Sequence, residues 1–185
     1  EPEVLKALCK FQVPEMLAES PDLKCFILRD AGQPLRGYGF NAEQAKEVLT
    51  LCAQIQINCI DRVDEFLSRG VNDWRLNRLP GLARSLFNDN KLLEKEGLSA
   101  DATNALPSLL SKVEQLCASL SIYGVPQTLE HGDFQDKNIL IREGKLTLCD
   151  WGDVSITHPF FSCVSFLNSA VRHHGLSQDA ESYIF

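Results

Sequence analysis

One short segment in the C-terminal half constrains the fold of this chain more than any other. Two apolar stretches, 139–141 and 146–149, are separated by the four residues Arg-Glu-Gly-Lys at 142–145. This pattern is typical of a tight β-hairpin with Glu-Gly as its turn. A two-residue turn also defines the register in which the two strands pair. The segment therefore predicts which side chains emerge together at the open end of the hairpin.

Three polar side chains are expected to meet at that open end. The register pairs Asn138 with Cys149, which is next to Asp150, and Asp133 lies five residues before Asn138 on the incoming loop. One carboxylate and one amide oxygen suit Mg²⁺, which leaves coordination positions for phosphate oxygens and water. A second carboxylate nearby can orient or deprotonate a hydroxyl. The pattern thus predicts a site for phosphoryl transfer, which needs little else from a protein beyond positioning and charge neutralisation.

Three sequence runs carry a resemblance to a known family. They are HGDFQDKN at 131–138, CDWGD at 149–153 and HPFF at 158–161. With these runs the chain resembles the aminoglycoside phosphotransferase and choline kinase-like family, which are small-molecule kinases with a protein-kinase-like fold. The resemblance implies ATP as the phosphate donor, Asp133 as the catalytic base, and Asn138 and Asp150 as Mg²⁺ ligands.

The resemblance also suggests roles for side chains around these three. It implies that His131 is a structural support of the catalytic loop. Gln135 and Lys137 lie where side chains can reach the transferred phosphate or the substrate, and Asp153 is a further candidate for such a contact. Asp153 and Asp136 are otherwise interpreted as solvated or loop-orienting carboxylates.

The N-terminal part is expected to bind the nucleotide. By resemblance, the backbone carbonyl of Arg29 and the N–H of Ala31 meet the adenine. Glu1 or Glu3 falls near the position of the family's helix glutamate that pairs with the ATP-binding lysine. Nothing in the sequence supplies that lysine or a glycine-rich phosphate loop, so we interpret the chain as a fragment of a longer kinase.

The implied fold class is α+β. It comprises the mostly helical C-terminal lobe of a protein-kinase-like fold, with a catalytic β-hairpin, and a remnant of the N-terminal lobe. Residues 1–30 are predicted as the remnant, with a helix, a hairpin and a hinge strand. Residues 31–185 are predicted as the helical lobe, with the catalytic loop at 131–138 and the metal-binding segment at 149–153.

Apolar periodicity predicts the helices of this lobe and of the remnant. The predicted helices are 3–10, 41–69, 82–95 and 106–123. Asn41 is expected to cap the second of these with Gln44 three residues on. The leucine stripe of the last helix is interpreted as core. The apolar run 25–28, the second strand of a hairpin, is interpreted as covered on both faces.

Composition and charge exclude several other classes of protein. The chain has 185 residues with 18 Lys and Arg against 25 Asp and Glu, a net charge of −7. It has no cluster of basic residues and no apolar stretch of about 18 residues, which argues against nucleic acid and membrane as partners. Seven cysteines without a CxxC pair predict buried free thiols and a cytoplasmic location. The acidic surplus favours a small cationic acceptor, an aminoglycoside-like compound or an amino-alcohol.

The main hypothesis is a kinase that transfers the γ-phosphate of ATP to a hydroxyl of a small molecule. A non-catalytic kinase-like binding or regulatory module is the alternative, because the phosphate loop and the lysine are not found. A metal-dependent phosphohydrolase built on His131 and Asp133 is a third. His173 and His174 lack a spaced metal-ligand partner and are predicted to lie at the surface.

Overall fold

A computed structural model describes residues 1–39 and 41–175. These residues form α-helices, several short 3₁₀ turns and eight strands in three small sheets. The helices are α1 (Pro2–Ala7), α2 (Ala42–Cys59), α3 (Val63–Ser68), α4 (Leu79–Phe87), α5 (Asn90–Lys95), α6 (Ala100–Ser121) and α7 (Cys163–His174). The strands are β1 (Met16–Ser20), β2 (Cys25–Leu28), β3 (Gln33–Pro34), β4 (Asn72–Asp73), β5 (Thr128–Glu130), β6 (Ile139–Arg142), β7 (Lys145–Leu148) and β8 (Ser155–Thr157).

The hairpin of β6 and β7 forms in the predicted register. Arg142 pairs with Lys145 and Ile139 with Leu148. The two turn residues between them both have positive φ, 52° and 77°, which is the backbone of a type I′ turn. The backbone N–H of Cys149 donates to the carbonyl of Asn138 at 2.9 Å. The register prediction is therefore confirmed to the end of the hairpin.

A second sheet brings the two predicted functional segments together. Its strand order is β4-β8-β5, with β5 and β8 antiparallel and Glu130 opposite Ser155. The loop that begins at His131 leaves the end of β5, and the segment that ends at Asp153 leads into β8. Because β5 and β8 are neighbours, the two segments must lie side by side.

The core lies between α1, α2 and the two C-terminal sheets. Its largest fully buried side chains are Trp151, Phe66, Phe134, Phe166, Leu5, Leu8, Leu35, Ile55, Leu129, Ile139, Leu148 and Ile156. Removing such side chains from water is the main favourable contribution to folding. Three of them, Phe134, Ile139 and Leu148, flank the predicted site, so its backbone is anchored in the core.

The predicted long helix over 41–69 is two helices. The capping box of Asn41 and Gln44 is present as expected, but a 3₁₀ turn at Ile60–Arg62 separates α2 from α3. At this break the guanidinium of Arg62 donates to the carbonyl of Ala7 and to the carboxylate of Glu65. The apolar period continues through the turn, which is why the sequence pattern did not show it.

Two further helix predictions, 82–95 and 106–123, also change at their boundaries. The segment 82–95 contains the end of α4 and the whole of α5, separated where Asp89 caps α5 through the N–H of Leu92. The last predicted helix begins earlier, at a Ser99 cap whose hydroxyl accepts from the N–H of Ala102, and it contains Pro107.

Two predictions of burial were wrong. The leucine stripe of α6 is largely exposed: Leu109 is 45% and Leu116 53% accessible, and Leu116 lines an open apolar groove against α4. Strand β2 is covered on one face only, because Ile27 on the other face is 59% exposed. Periodicity identifies an apolar face but does not show what covers it.

The seven cysteines are all free in the structure. Cys52, Cys59 and Cys117 are buried as predicted, whereas Cys9 and Cys25 are exposed. Burial raises the pKa of Cys59 to about 11, which keeps this thiol protonated at neutral pH. None of the helices in the described part of the chain is long and apolar enough to cross a bilayer.

Candidate active site

The loop after β5 approaches the metal-binding segment at Gly132. Its φ is +84°, and a Cβ atom at this position would lie 2.2 Å from the backbone carbonyl oxygen of Asp153. Only glycine combines this φ with so close a contact at little cost. Gly132 thus lets the predicted catalytic loop pack directly on the 3₁₀ turn Trp151–Asp153.

His131 is buried between the two segments, with 1% of its surface exposed. Its Nε2 lies 2.9 Å from the carbonyl oxygen of Cys149, and its Nδ1 accepts from the N–H of Asp133 at 3.3 Å. The two contacts require the neutral tautomer with the proton on Nε2. Burial lowers the pKa of His131 below its ordinary value. The ring packs on Trp151, with 4.6 Å between the ring centroids.

Asp133 receives three donors on one carboxylate. Gln135 Nε2 donates to Oδ1, and Oδ2 accepts from Asn138 Nδ2 at 2.9 Å and from Lys137 Nζ at 2.8 Å. Partial burial alone would raise the pKa of Asp133, but the hydrogen bonds from Lys137, Asn138 and Gln135 outweigh it and leave the pKa below its ordinary value. The carboxylate is therefore ionised and oriented at neutral pH.

Asn138 and Asp150 offer oxygen ligands at the mouth of the hairpin. The amide nitrogen of Asn138 donates to the Asp133 carboxylate and also to the backbone carbonyl of Asp133 at 2.8 Å. The amide oxygen Oδ1 of Asn138 forms no hydrogen bond with any described residue. Asp150 is exposed, has a left-handed backbone (φ 66°, ψ 62°) and raises the pKa of Lys137 electrostatically after the dominant effect of Asp133. Oxygens from one amide and one carboxylate fit Mg²⁺.

The structure does not bring Asp153 into this group of contacts. Its side chain is exposed, and it is the backbone carbonyl that meets Gly132. Within residues 1–39 and 41–175, no three His, Cys, Asp or Glu side chains lie together as metal ligands. The predicted metal ligands remain one amide, Asn138, and one carboxylate, Asp150.

The predicted nucleotide-binding residues lie between β2 and β3. The N–H of Arg29 donates to the carbonyl of Glu15 at 2.8 Å, and its side chain pairs with the Glu15 carboxylate. Asp30 is tied to the hairpin by Arg142, whose Nη1 donates to the Asp30 carbonyl at 3.0 Å. Among the described residues, no hydrogen bond uses the carbonyl of Arg29 or the N–H of Ala31.

The two N-terminal glutamates differ in their surroundings. The carboxylate of Glu1 accepts from the backbone N–H of Trp151 at 3.2 Å, so it lies at the metal-binding segment. Glu3 instead pairs with Lys6 at 2.5 Å and with Arg69 at 3.1 Å on the surface. Of the two, Glu1 is the one placed beside the candidate site.

Sequence reasoning missed a buried ionic cluster in the catalytic loop. Asp136 is fully buried, and its Oδ1 accepts from Arg36 Nη2 at 2.6 Å and from the hydroxyl of Ser169. Its Oδ2 lies 2.8 Å from Nε2 of His174, whose side chain is 1% exposed. The surface prediction for His174 is therefore wrong. Burial opposes ionisation, but the bonds from Arg36, Ser169 and His174 prevail and lower the pKa of Asp136 to about 2.

Glu130 is a second buried carboxyl that the sequence did not single out. Its side chain is 1% exposed. The carboxylate accepts hydrogen bonds from the hydroxyl of Ser162, from the backbone N–H of Ser162 at 3.2 Å and from the backbone N–H of Gly132 at 2.9 Å. Burial raises the pKa of Glu130, and these hydrogen bonds only reduce the effect. The local signal was only an acidic residue directly before HGD.

Comparisons with known proteins identify the family and the fold of this chain. The sequence profile of the phosphotransferase enzyme family matches residues 3–183, so the chain belongs to this family. No curated protein matches the sequence significantly. Similar solved structures include a streptomycin–ATP complex of APH(2″)-IIa, with a TM-score of 0.54 at 17% identity over 99% of this chain and 67% of that one. A GDP and kanamycin complex of a related APH(2″) enzyme has a TM-score of 0.56 at 18% identity, over 98% and 67%.

These neighbours identify the fold as that of the kinase-like aminoglycoside phosphotransferases. A GDP complex of aminoglycoside 2′-phosphotransferase-IIIa is also similar, with a TM-score of 0.52 at 18% identity over 98% of this chain and 67% of that one. At these identities the likeness describes the fold alone. The predicted fold class, α+β with a protein-kinase-like fold, is confirmed.

Proposed function

We propose that this protein is an ATP- and Mg²⁺-dependent kinase that phosphorylates a hydroxyl of a small molecule. The observation that carries the proposal is the Asp133 carboxylate, held ionised by three donors at the mouth of a hairpin that also presents Asn138 and Asp150. Family membership and neighbours that bind ATP or GDP support the same reading.

Asp133 acts as the general base in this proposal. One carboxylate oxygen takes the proton of the acceptor hydroxyl while the acceptor oxygen forms a bond to the γ-phosphorus of ATP. The bond between the γ-phosphorus and the bridging β,γ-oxygen breaks, and ADP leaves with that electron pair. The ammonium group of Lys137, which is ion-paired with Asp133 Oδ2, is positioned to contact the transferred phosphoryl group as negative charge moves during the transfer.

The other predicted residues serve binding and positioning. Mg²⁺ held by Asn138 Oδ1 and Asp150 would neutralise phosphate charge when bound. His131 holds the loop through Cys149, and Gln135 orients Asp133. Asp153 remains a candidate for a substrate contact from its exposed position.

The nucleotide is proposed to bind along β2 and β3. The carbonyl of Arg29 and the N–H of Ala31 form the pair of backbone groups that an adenine edge requires. Their orientation is supported by the Arg29–Glu15 pair and by the bond from Arg142 to Asp30. Guanine presents the opposite order of donor and acceptor on that edge, so this proposal favours ATP as donor.

The test of the base assignment is the change Asp133→Asn in the full-length protein. Acceptor-dependent ADP release is expected to fall about 10²–10⁴-fold, because the amide keeps the size of the side chain and one acceptor oxygen but cannot take a proton. Asp61→Asn, at an exposed aspartate on the 3₁₀ turn after α2, is the matched control and should leave turnover unchanged. Equal turnover in Asp133→Asn and wild type contradicts the assignment. Tight binding of ATP without turnover for any acceptor would favour the non-catalytic module instead.

A further inference from the structure

A polar cavity of about 220 Å³ adjoins the proposed base. It lies between the catalytic loop and the outer face of α7. The lining residues are Gln135, Ser165, Asn168, Ser169, Arg172 and His173. Gln135 is also the residue whose amide donates to Asp133 Oδ1. A molecule in this cavity therefore lies next to the carboxylate that would deprotonate it.

The lining carries amide, hydroxyl and basic groups but no carboxylate among the described residues. Arg172 is exposed, and no described acidic side chain forms an ion pair with its guanidinium. Of the acidic residues around the site, Asp133 lies next to this cavity behind Gln135, and none lines it. Asp136 is neutralised internally by Arg36, and Glu130 is buried on hydrogen bonds from Ser162 and Gly132.

We infer that the acceptor is a small polyhydroxylated compound that carries a carboxylate or a phosphate group. Its anionic group binds the Arg172 guanidinium, whose paired N–H donors match both anions. Ser165 and Asn168 suit further hydroxyls, and one hydroxyl reaches Asp133 past Gln135. This inference rests on the proposed function, and it replaces the cationic acceptor that the net charge of the sequence favoured.

The size of the cavity supports a small acceptor. Pockets for drug-sized ligands typically measure roughly 300–1,000 Å³, so 220 Å³ is better matched to a single sugar-like unit. A cationic amino-sugar would place its ammonium group against Arg172 and His173. Like charges this close repel each other, so Arg172 disfavours such acceptors.

The experiment compares acceptors that differ mainly in charge. ADP release is measured with gluconate and glucose 6-phosphate as anionic probes, sorbitol as the neutral one, and glucosamine and kanamycin as cationic ones. Binding of the same compounds without nucleotide is followed by saturation-transfer difference NMR. We expect turnover and binding for an anionic probe, at a lower KM than for sorbitol.

The variant Arg172→Gln tests whether the Arg172 guanidinium binds the anionic group of the acceptor. It should raise the KM of the anionic acceptor about 10–100-fold, the size of a lost charge-assisted hydrogen bond, with little change in kcat or in the KM of sorbitol. Arg172→Lys should restore part of the loss. Lys112→Gln, at an exposed cation on α6, is the control and should change neither parameter.

The outcomes separate the inference from the proposed function. Turnover of kanamycin or glucosamine in preference to the anionic probes overturns the inference and leaves the kinase proposal standing. Arg172-dependent binding of gluconate without ADP release from any acceptor overturns the kinase proposal and supports the anion site. If Arg172 serves only the C-terminal end of α7, Arg172→Gln lowers thermal stability without changing any acceptor KM. That result, or equal binding of gluconate and sorbitol, overturns the inference.

Discussion

Single atoms around Gly132 determine how the predicted catalytic loop meets the predicted metal-binding segment. The backbone carbonyl of Asp153 occupies the space that any side chain at position 132 would need. Gly132 also donates its backbone N–H to the buried carboxyl of Glu130 at 2.9 Å. A shift of this one backbone unit therefore acts on the loop, the 3₁₀ turn and the strand before them at once.

Gly132→Ala should disturb both stability and activity. A left-handed alanine costs about 1–2 kcal/mol by itself, and here the methyl group must also displace the Asp153 carbonyl. Gly124→Ala is the matched control, because Gly124 has φ +63° with nothing within 4 Å of the added Cβ. Urea denaturation should show a clearly larger loss for Gly132→Ala, and ADP release should fall in that variant alone. Equal losses in the two variants would show that the close contact has no energetic weight.

The catalytic loop and α7 are joined as elements by the Asp136 cluster. Ser169 and His174 of α7 and Arg36 of the turn after β3 all reach the same carboxylate. The cavity proposed for the acceptor also borders α7, and Ser169 belongs to its lining. The helix thus connects the residues proposed to bind the acceptor with the loop that carries the proposed base.

Asp136→Asn should weaken this connection. The change removes the charge that Arg36 needs, and about 2–3 kcal/mol of unfolding free energy should be lost, since Arg36 is partly exposed and Asp136 is not. The unfolding free energy is measured by urea denaturation at neutral pH, with Asp61→Asn as a surface control.

The Asp136 carboxylate also makes the unfolding free energy depend on pH in acid. Wild type should lose stability as the pH falls from 3.8 towards about 2, because the unfolded carboxylate protonates first. That loss should be smaller in Asp136→Asn, in which Asp73 and Asp133 still have lowered pKa values.

Local patterns predicted the hairpin and its register well. The turn, the strands and the placement of Asn138 beside Cys149 depend on residues within a dozen positions of one another. The Asp136 cluster was missed because its partners lie 33, 38 and 100 residues away in the sequence. For the same reason, the leucine stripe of α6 revealed an apolar face and not its neighbour. Contacts between distant segments require the fold itself.

Across the whole molecule, two buried carboxyls seven residues or fewer from His131 behave in opposite ways. Asp136 meets a guanidinium, so its pKa is lowered, whereas Glu130 meets only uncharged donors, and burial raises its pKa. His131 is buried without an opposite charge in direct contact, and its pKa is lowered by desolvation. The net charge of −7 therefore does not describe the electrostatics of the site, because the pKa of each group depends on its own burial and contacts.

These shifts predict how stability depends on pH. Burial lowers the pKa of both His131 and His158 from 6.5, so the unfolded chain binds protons before the folded one as the pH falls. The unfolding free energy should therefore decrease from about pH 7 to about pH 5. Glu130 has the opposite effect on the unfolding free energy. Because its pKa is raised in the folded state, the folded chain binds a proton there before the unfolded chain does as the pH falls towards 4.5.

Glu130→Gln separates the two effects. It removes the opposing carboxyl and keeps an acceptor for Ser162, so the decrease in unfolding free energy between about pH 7 and about pH 5 should be steeper than in wild type. Urea denaturation at several pH values measures this slope, and NMR of the His131 ring should show titration below 6.5. A flat profile in both proteins, or a His131 ring that is already protonated at pH 6.5, would contradict the neutral tautomer on which the loop geometry depends.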